Sequence, residues 1–154
     1  MNVGDASTFA LKLQRQLYQF VKNFELCEQL CAGQFKVTVA QGYTLMSLPR
    51  EGNVSMNELS QAVELANSTM TRMVDQLMEK KLVSRAPDHE DRRIVRVGLT
   101  ALGRQVKTDL EKAQQDFLLT AVEDIQENER GTILHALDRL TSAIVKGLKC
   151  CSPR

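Results

Sequence analysis

No long apolar run and no enzyme signature occurs in this chain of 154 residues. None of its apolar stretches approaches the roughly 20 residues that cross a bilayer, which argues against a membrane protein. The opening residues hold no basic segment followed by a continuous apolar run, so no secretory leader is expected and the chain reads as cytoplasmic. In that compartment its four cysteines are expected to be mostly reduced. A phosphate-cradling glycine loop, a His-Glu-x-x-His pair and a Gly-x-Ser-x-Gly elbow are all missing, so no enzyme activity is expected. The two histidines, His89 among acids and His135 near Asp138, sit in no catalytic pattern. No cofactor and no bound metal are expected either. A net charge of +1 looks equally unpromising for a nucleic-acid binder.

The distribution of charge reverses that impression. Between Lys80 and Arg104, seven basic residues oppose three acids, a net of +4, whereas residues 105–139 carry four basic residues against eight acids, a net of −4. A basic middle and an acidic end imply one face for phosphate and another for something else.

Length and composition fit about one globular domain. Apolar positions Phe9, Leu13, Leu17, Phe20, Phe24, Cys27 and Cys31 step by threes and fours, the stripe of a long amphipathic helix with Gly33 as its stop. A second helix is expected over residues 35–48. Ser55 and Glu58 have the spacing of a capping box, opening a helix that carries Leu59 and Val63 inward and ends near Leu65. After a tight corner at Ala66-Asn67-Ser68, another helix buries Met70, Met73, Val74 and Leu77 and turns Ser68, Arg72, Asp75 and Glu79 the opposite way. Two helices joined in this manner form a helix-turn-helix. Its small hydroxyl and amide groups permit close approach to a major groove, and Arg72 can reach guanine or phosphate.

The stretch Leu82 to Gly103 follows directly. Two β-branched segments flank a tip that joins turn residues Pro87 and Asp88 to the cluster Asp91-Arg92-Arg93, which is a hairpin with arginines at its end. Thr100 then caps a third long stripe of Leu102, Val106, Leu110, Ala113, Phe117, Ala121 and Ile125. A last helix carries Ile133, Leu137, Leu140, Ile144 and Leu148. Long apolar stripes at both ends of so small a chain are expected to pair across a two-fold axis. The homodimer so formed offers two recognition helices to a palindromic duplex.

The run Glu58-Leu59-Ser60, Ser68 to Leu77, Leu82 to Arg85, Asp88 to Arg93 and Val97 to Gly103 resembles the MarR family of bacterial winged-helix transcription regulators. The Asp-x-Arg wing tip followed by Leu-Thr-x-x-Gly is its specific part, and the match is strong over about residues 54–104. The fold class implied is mainly α with a small β-hairpin wing, a winged helix-turn-helix whose N- and C-terminal helices form a dimerisation region. The divisions are 1–34, 35–103 and 104–154. The resemblance implies that Asp91 orients Arg93 into the minor groove and that Arg92 and Arg85 meet phosphate. Ser68, Thr69, Thr71 and Arg72 fall on recognition-helix contact positions, with Gln76 beyond them. Lys81 stands where the family usually has glycine, and must turn left-handed or lengthen the helix.

The expected function is a sequence-specific DNA-binding regulator, a repressor by default, whose affinity for a palindromic operator is modulated by a small molecule. Phe20, Phe24, Cys27, Tyr43 and Met46 are the residues placed to line an effector site, although aromatic and methionine positions at helical spacing are more often plain core. Two other readings stay open. Cys27 and Cys31, or Cys150 and Cys151, would serve a redox- or metal-responsive regulator, whereas the position of Cys27 and Cys31 on the apolar stripe suits buried core residues. A winged helix used only for protein contacts is the remaining one.

Overall fold

The computed structural model describes residues 3–151 apart from His89 and Arg92; the side chains of 3, 4 and 149–151 also lie outside the description. Among the described residues, six helices and three strands follow in the order α1 (Val3–Gln34), α2 (Val39–Ser47), β1 (Val54–Ser55), α3 (Met56–Ala62), α4 (Asn67–Glu79), β2 (Val83–Pro87), β3 (Val95–Leu99), α5 (Ala101–Val122) and α6 (Glu127–Cys151). The chain divides into two compact units, residues 1–115 and 116–154. No helix among the described residues is long and apolar enough to cross a membrane.

In the first unit, α2, α3, α4 and the sheet enclose a core of Leu45, Leu48, Leu59, Met70, Val74, Leu77, Leu82, Val97 and Leu110, all nearly inaccessible to solvent. The apolar faces expected of α3 and α4 are those that supply it. The expected hairpin is antiparallel, with Val83 opposite Leu99 and Pro87 opposite Val95. β1 adds a third strand against β3 through Val54–Val97 and Ser55–Arg96. Sequence reasoning missed β1 because two residues carry no periodicity.

Several boundaries need correction. α1 runs through Gly33 and ends one residue later at Gln34; beyond it Lys36 turns left-handed (φ 56°) and Val37 N–H returns to the Ala32 carbonyl over 3.2 Å. α2 begins only at Val39, because Thr38 and Gln41 form a capping box that fixes the start there. α3 ends at Ala62 rather than near Leu65; Glu64 is left-handed (φ 55°), and Leu65 N–H closes the end on the Ser60 carbonyl over 2.9 Å. The corner between α3 and α4 is therefore residues 63–66. α5 ends at Val122, short of Ile125. The capping box of Ser55 and Glu58 is present, with reciprocal bonds of 3.1 and 2.7 Å.

Lys81 takes the left-handed alternative, at φ 59°. Leu82 N–H then reaches the Leu77 carbonyl over 2.9 Å, which ends α4 and aims the chain into β2. At the far end of the hairpin, Thr100 N–H donates to the Leu82 carbonyl over 3.1 Å and Thr100 Oγ1 accepts from Gly103 N–H over 3.0 Å. The first turn of α5 thus lies directly on Leu82, and a Cβ on Gly103 would overlap that carbonyl. Lys107, one turn on, is buried and donates to the Met46 and Leu48 carbonyls over 2.8 and 2.6 Å, closing the C-terminal end of α2.

Apolar side chains remain uncovered in each unit. In the first these include Phe9, Leu11, Tyr18, Phe20, Val21, Leu26 and Leu30 on α1. In the second they include Leu118 and Leu119 on α5 and Leu134, Leu137, Ile144, Val145 and Leu148 on α6.

Gly103→Ala is expected to lower the unfolding free energy by about 2 kcal/mol or more, because backbone cannot retreat from the added methyl. Gly33→Ala, where nothing stands within 4 Å of the new carbon, should raise it by about 0.5–1 kcal/mol as an ordinary helix substitution. Urea denaturation of the two variants checks both signs.

Candidate nucleic-acid interface

The exposed surface of α4 begins with small polar groups. Ser68, Thr69, Thr71, Arg72, Asp75 and Gln76 are all exposed, while Met70, Val74 and Leu77 anchor the opposite face in the core. Thr71 Oγ1 turns back to the Asn67 carbonyl over 2.9 Å, so its hydroxyl hydrogen is already engaged within the helix. Asn67 Oδ1 is held by Ser60 of α3 over 2.5 Å, so the two helices of the motif are tied at their corner.

Beside α4 stands the wing formed by β2 and β3. Its tip is built around Asp88, whose carboxylate accepts from the backbone N–H groups of Glu90 and Asp91 over 2.9 and 3.1 Å and from Arg96 Nε over 2.5 Å. Those donors hold the Asp88 carboxyl down at about 2, with the Asp91 amide the largest cause, then Arg96. Arg96 also lies 3.6 Å from Glu58, the capping residue of α3, so one guanidinium joins the wing to the start of the helix-turn-helix. Asp91 accepts from the backbone N–H of Arg93 over 2.9 Å, turning the chain there. A cleft of about 500 Å³ opens between wing and motif, lined by Ser55, Met56, Asn57, Asn67, Arg93, Ile94 and Val95.

The basic side chains divide into two groups. Arg85, expected at phosphate, has its guanidinium turned to Asp75 over 2.6 Å and to the Thr71 carbonyl over 3.2 Å, with its Nε buried and unpaired. It therefore fastens β2 to the exposed side of α4. Arg96 is paired as above, Arg104 donates to the Leu99 carbonyl over 3.0 Å, and Lys80 donates to the Lys36 carbonyl and to Gln41 Oε1, each over 2.7 Å. Among the described residues of this basic segment and α4, the side chains of Arg72, Lys81 and Arg93 have no protein partner. Arg92 lies outside the described residues. Sequence reasoning singled out the arginines but missed Gln41 and Lys80, whose partners lie 35 to 44 residues away.

The residues expected around an effector do not form one pocket. Tyr43 and Met46 line a recess of about 10 Å³ with Glu28, Ala32, Val39, Gly42, Leu110 and Gln114, too small for a ligand of ordinary size. Tyr43 donates a hydrogen bond to Glu28, and that bond, followed by burial, pushes its hydroxyl up to about 12. Phe20 and Phe24 are exposed and stacked on each other at 5.9 Å, away from that lining. Cys27 and Cys31 are buried with their Sγ atoms 3.9 Å apart, and burial, more than the Cys31 thiol beside it, pushes Cys27 up to about 11. A thiol so raised is protonated at neutral pH and a poor nucleophile. No cluster of three metal-ligating side chains occurs among the described residues.

A protein-family model described as "MarR family" matches residues 37–95. The HTH-type transcriptional regulator YsmB of Bacillus subtilis is 31% identical over 96 residues, 62% of this chain and 66% of that protein. The HTH-type transcriptional repressor MdtR of the same species is 36% identical over 67 residues, 44% of this chain and 43% of that protein. The chain thus spans less than two thirds of the length of these curated relatives. FabT of Streptococcus pneumoniae, solved in complex with DNA, shares the fold with a TM-score of 0.78 over 89% of this chain and 98% of its own, at 18% identity.

Because the folded pKa of Asp88 is depressed, the hydrogen bonds of its carboxylate are fully present above the ordinary value of 3.8 and fade as pH falls through about 2. NMR titration of the Glu90 and Asp91 amides should therefore show a midpoint near 2. Arg96→Met should move that midpoint upward.

Proposed function

The chain belongs to the MarR family, and from that premise we propose that it is a DNA-binding transcriptional regulator and not an enzyme. One observation carries the reading: most described basic side chains of the central segment hold the frame together, while Arg72 on α4 and Arg93 on the wing are left facing solvent. Free guanidinium groups on two adjacent projections, with small polar groups between them, suit a duplex whose major groove takes α4 and whose minor groove takes the wing. The DNA complex of FabT, a protein of the same fold, supports this use of the surface.

In this proposal Ser68, Thr69, Thr71, Arg72 and Gln76 face the major groove. Asp91 shapes the turn that projects Arg93, and Arg92 meets phosphate. Arg85 acts one step back, holding α4 against the wing through Asp75. The uncovered apolar faces of α1 and α6 are paired with a second copy of the chain, so that two α4 helices read a palindromic operator. Residues 1–34 and 104–154 form the dimerisation region, and residues 35–103 bind DNA. Repression is the expected sign, as in the named activity of MdtR. A small effector would act by population shift, favouring a spacing of the two recognition helices that mismatches the grooves. Entry beside Met46 requires displacement of Tyr43 from Glu28. Cys27 and Cys31 serve as core.

A salt titration on duplex from the DNA flanking the gene tests the reading. Affinity should fall steeply with salt. Arg93→Ala should weaken binding about tenfold and reduce the slope of log Kd against log salt by about one, with unfolding free energy unchanged. Equal, weak binding to random duplex and no effect of Arg93→Ala would leave the protein-contact module in its place.

A further inference from the structure

Ser68, Arg72, Gln76 and Lys80 recur at four-residue spacing and so form one row along α4 and its C-cap. Behind the last two sits Gln41, 3% exposed, in the first turn of α2. Its carboxamide meets three groups. Thr38 N–H donates to Gln41 Oε1 over 3.2 Å, and Lys80 Nζ donates to the same oxygen over 2.7 Å. A backbone amide and an ammonium can only donate here. The oxygen of Gln41 must therefore face both, and its NH2 must face away from them. There Gln41 Nε2 donates to Gln76 Oε1 over 3.0 Å. The Lys36 carbonyl holds the same ammonium over 2.7 Å, which keeps Lys80 in place.

Hydrogen-bond polarity is thus handed outward from the start of α2 to the surface of α4. Gln76 is exposed, and with its oxygen engaged inward its NH2 group is the part left for a ligand. An unrestrained glutamine offers a donor and an acceptor together, the pair that matches adenine. A glutamine whose oxygen is already engaged offers a donor alone.

We propose that Gln41 is a positioning residue that fixes Gln76 as a donor-only contact, so that Gln76 selects an acceptor on the DNA: guanine O6 or N7, adenine N7, thymine O4, or a phosphate oxygen. This rests on the DNA-binding reading above. Gln41→Glu supplies the test because glutamate keeps the capping box with Thr38 and the contact with Lys80. Its second oxygen can only accept, so Gln76 must turn its NH2 inward and present its oxygen instead.

Wild type, Gln41→Glu, Gln76→Ala and the double variant are to be compared on duplexes randomised around the strongest site in the DNA flanking the gene. If Gln76 meets a base, wild type prefers a base with an acceptor there over cytosine, whose edge offers only an amino donor, by about tenfold at one pair per half-site. Gln41→Glu then moves that preference toward cytosine and away from guanine and thymine, which offer acceptors alone. If it meets phosphate, Gln41→Glu weakens all sequences alike by about tenfold. Either effect must vanish in the Gln76→Ala background. Gln76→Glu, which keeps the bond from Gln41 and presents an oxygen outward, should reproduce the outcome and replaces Gln41→Glu if that variant does not fold. Identical base pattern and affinity for wild type and both glutamate variants overturns the relay, as does an effect of Gln41→Glu that survives Gln76→Ala. Wild type that binds no duplex above random overturns the DNA-binding reading itself, a result distinct from a silent Gln41→Glu in a protein that binds.

Discussion

The Leu82 carbonyl is where the interface is assembled. Leu82 N–H ends α4 on Leu77, and the same residue's carbonyl receives Thr100 N–H at the end of the wing, with Gly103 pressed against it from α5. The recognition helix, both wing strands and the first turn of α5 therefore meet at one residue. This geometry requires Lys81 to be left-handed and residue 103 to lack a side chain. A lysine at φ 59° is a strained choice where glycine would be free, and the bonds on either side of it hold it there.

Around that junction, polar side chains do the aligning that the apolar core cannot. The core sets distances between helices but tolerates small rotations; directional bonds do not. Arg85 sets the wing against α4, Arg96 sets the wing against α3, and Lys80 with Gln41 sets α4 against α2. A chain with a net charge of +1 can present a basic surface because its positive groups are sorted by role. Those with acidic or carbonyl partners fix the frame, and those without partners face outward.

Much of this was legible in the sequence, and for physical reasons. Period-3.6 stripes gave the buried faces of α3 and α4, the Ser55–Glu58 spacing gave a helix start, and the turn chemistry around Asp88 gave the wing. Helix ends were read less well, because Gly33 permits a stop without requiring one, whereas Lys36 and Glu64 took left-handed conformations that side-chain identity does not announce. Strand β1 and the buried Gln41 and Lys107 depend on partners far along the chain. The arginines were visible as a group, but nothing in their spacing separates Arg85, which faces Asp75, from Arg93, which does not.

The central claim is that the first two turns of α4 and the wing tip meet one duplex together. Amide hydrogen exchange, measured with and without a duplex from the DNA flanking the gene, tests it most directly. The account predicts slowed exchange in residues 67–73 and 93–95 at once. Slowing in only one of these segments, or in neither, would contradict it.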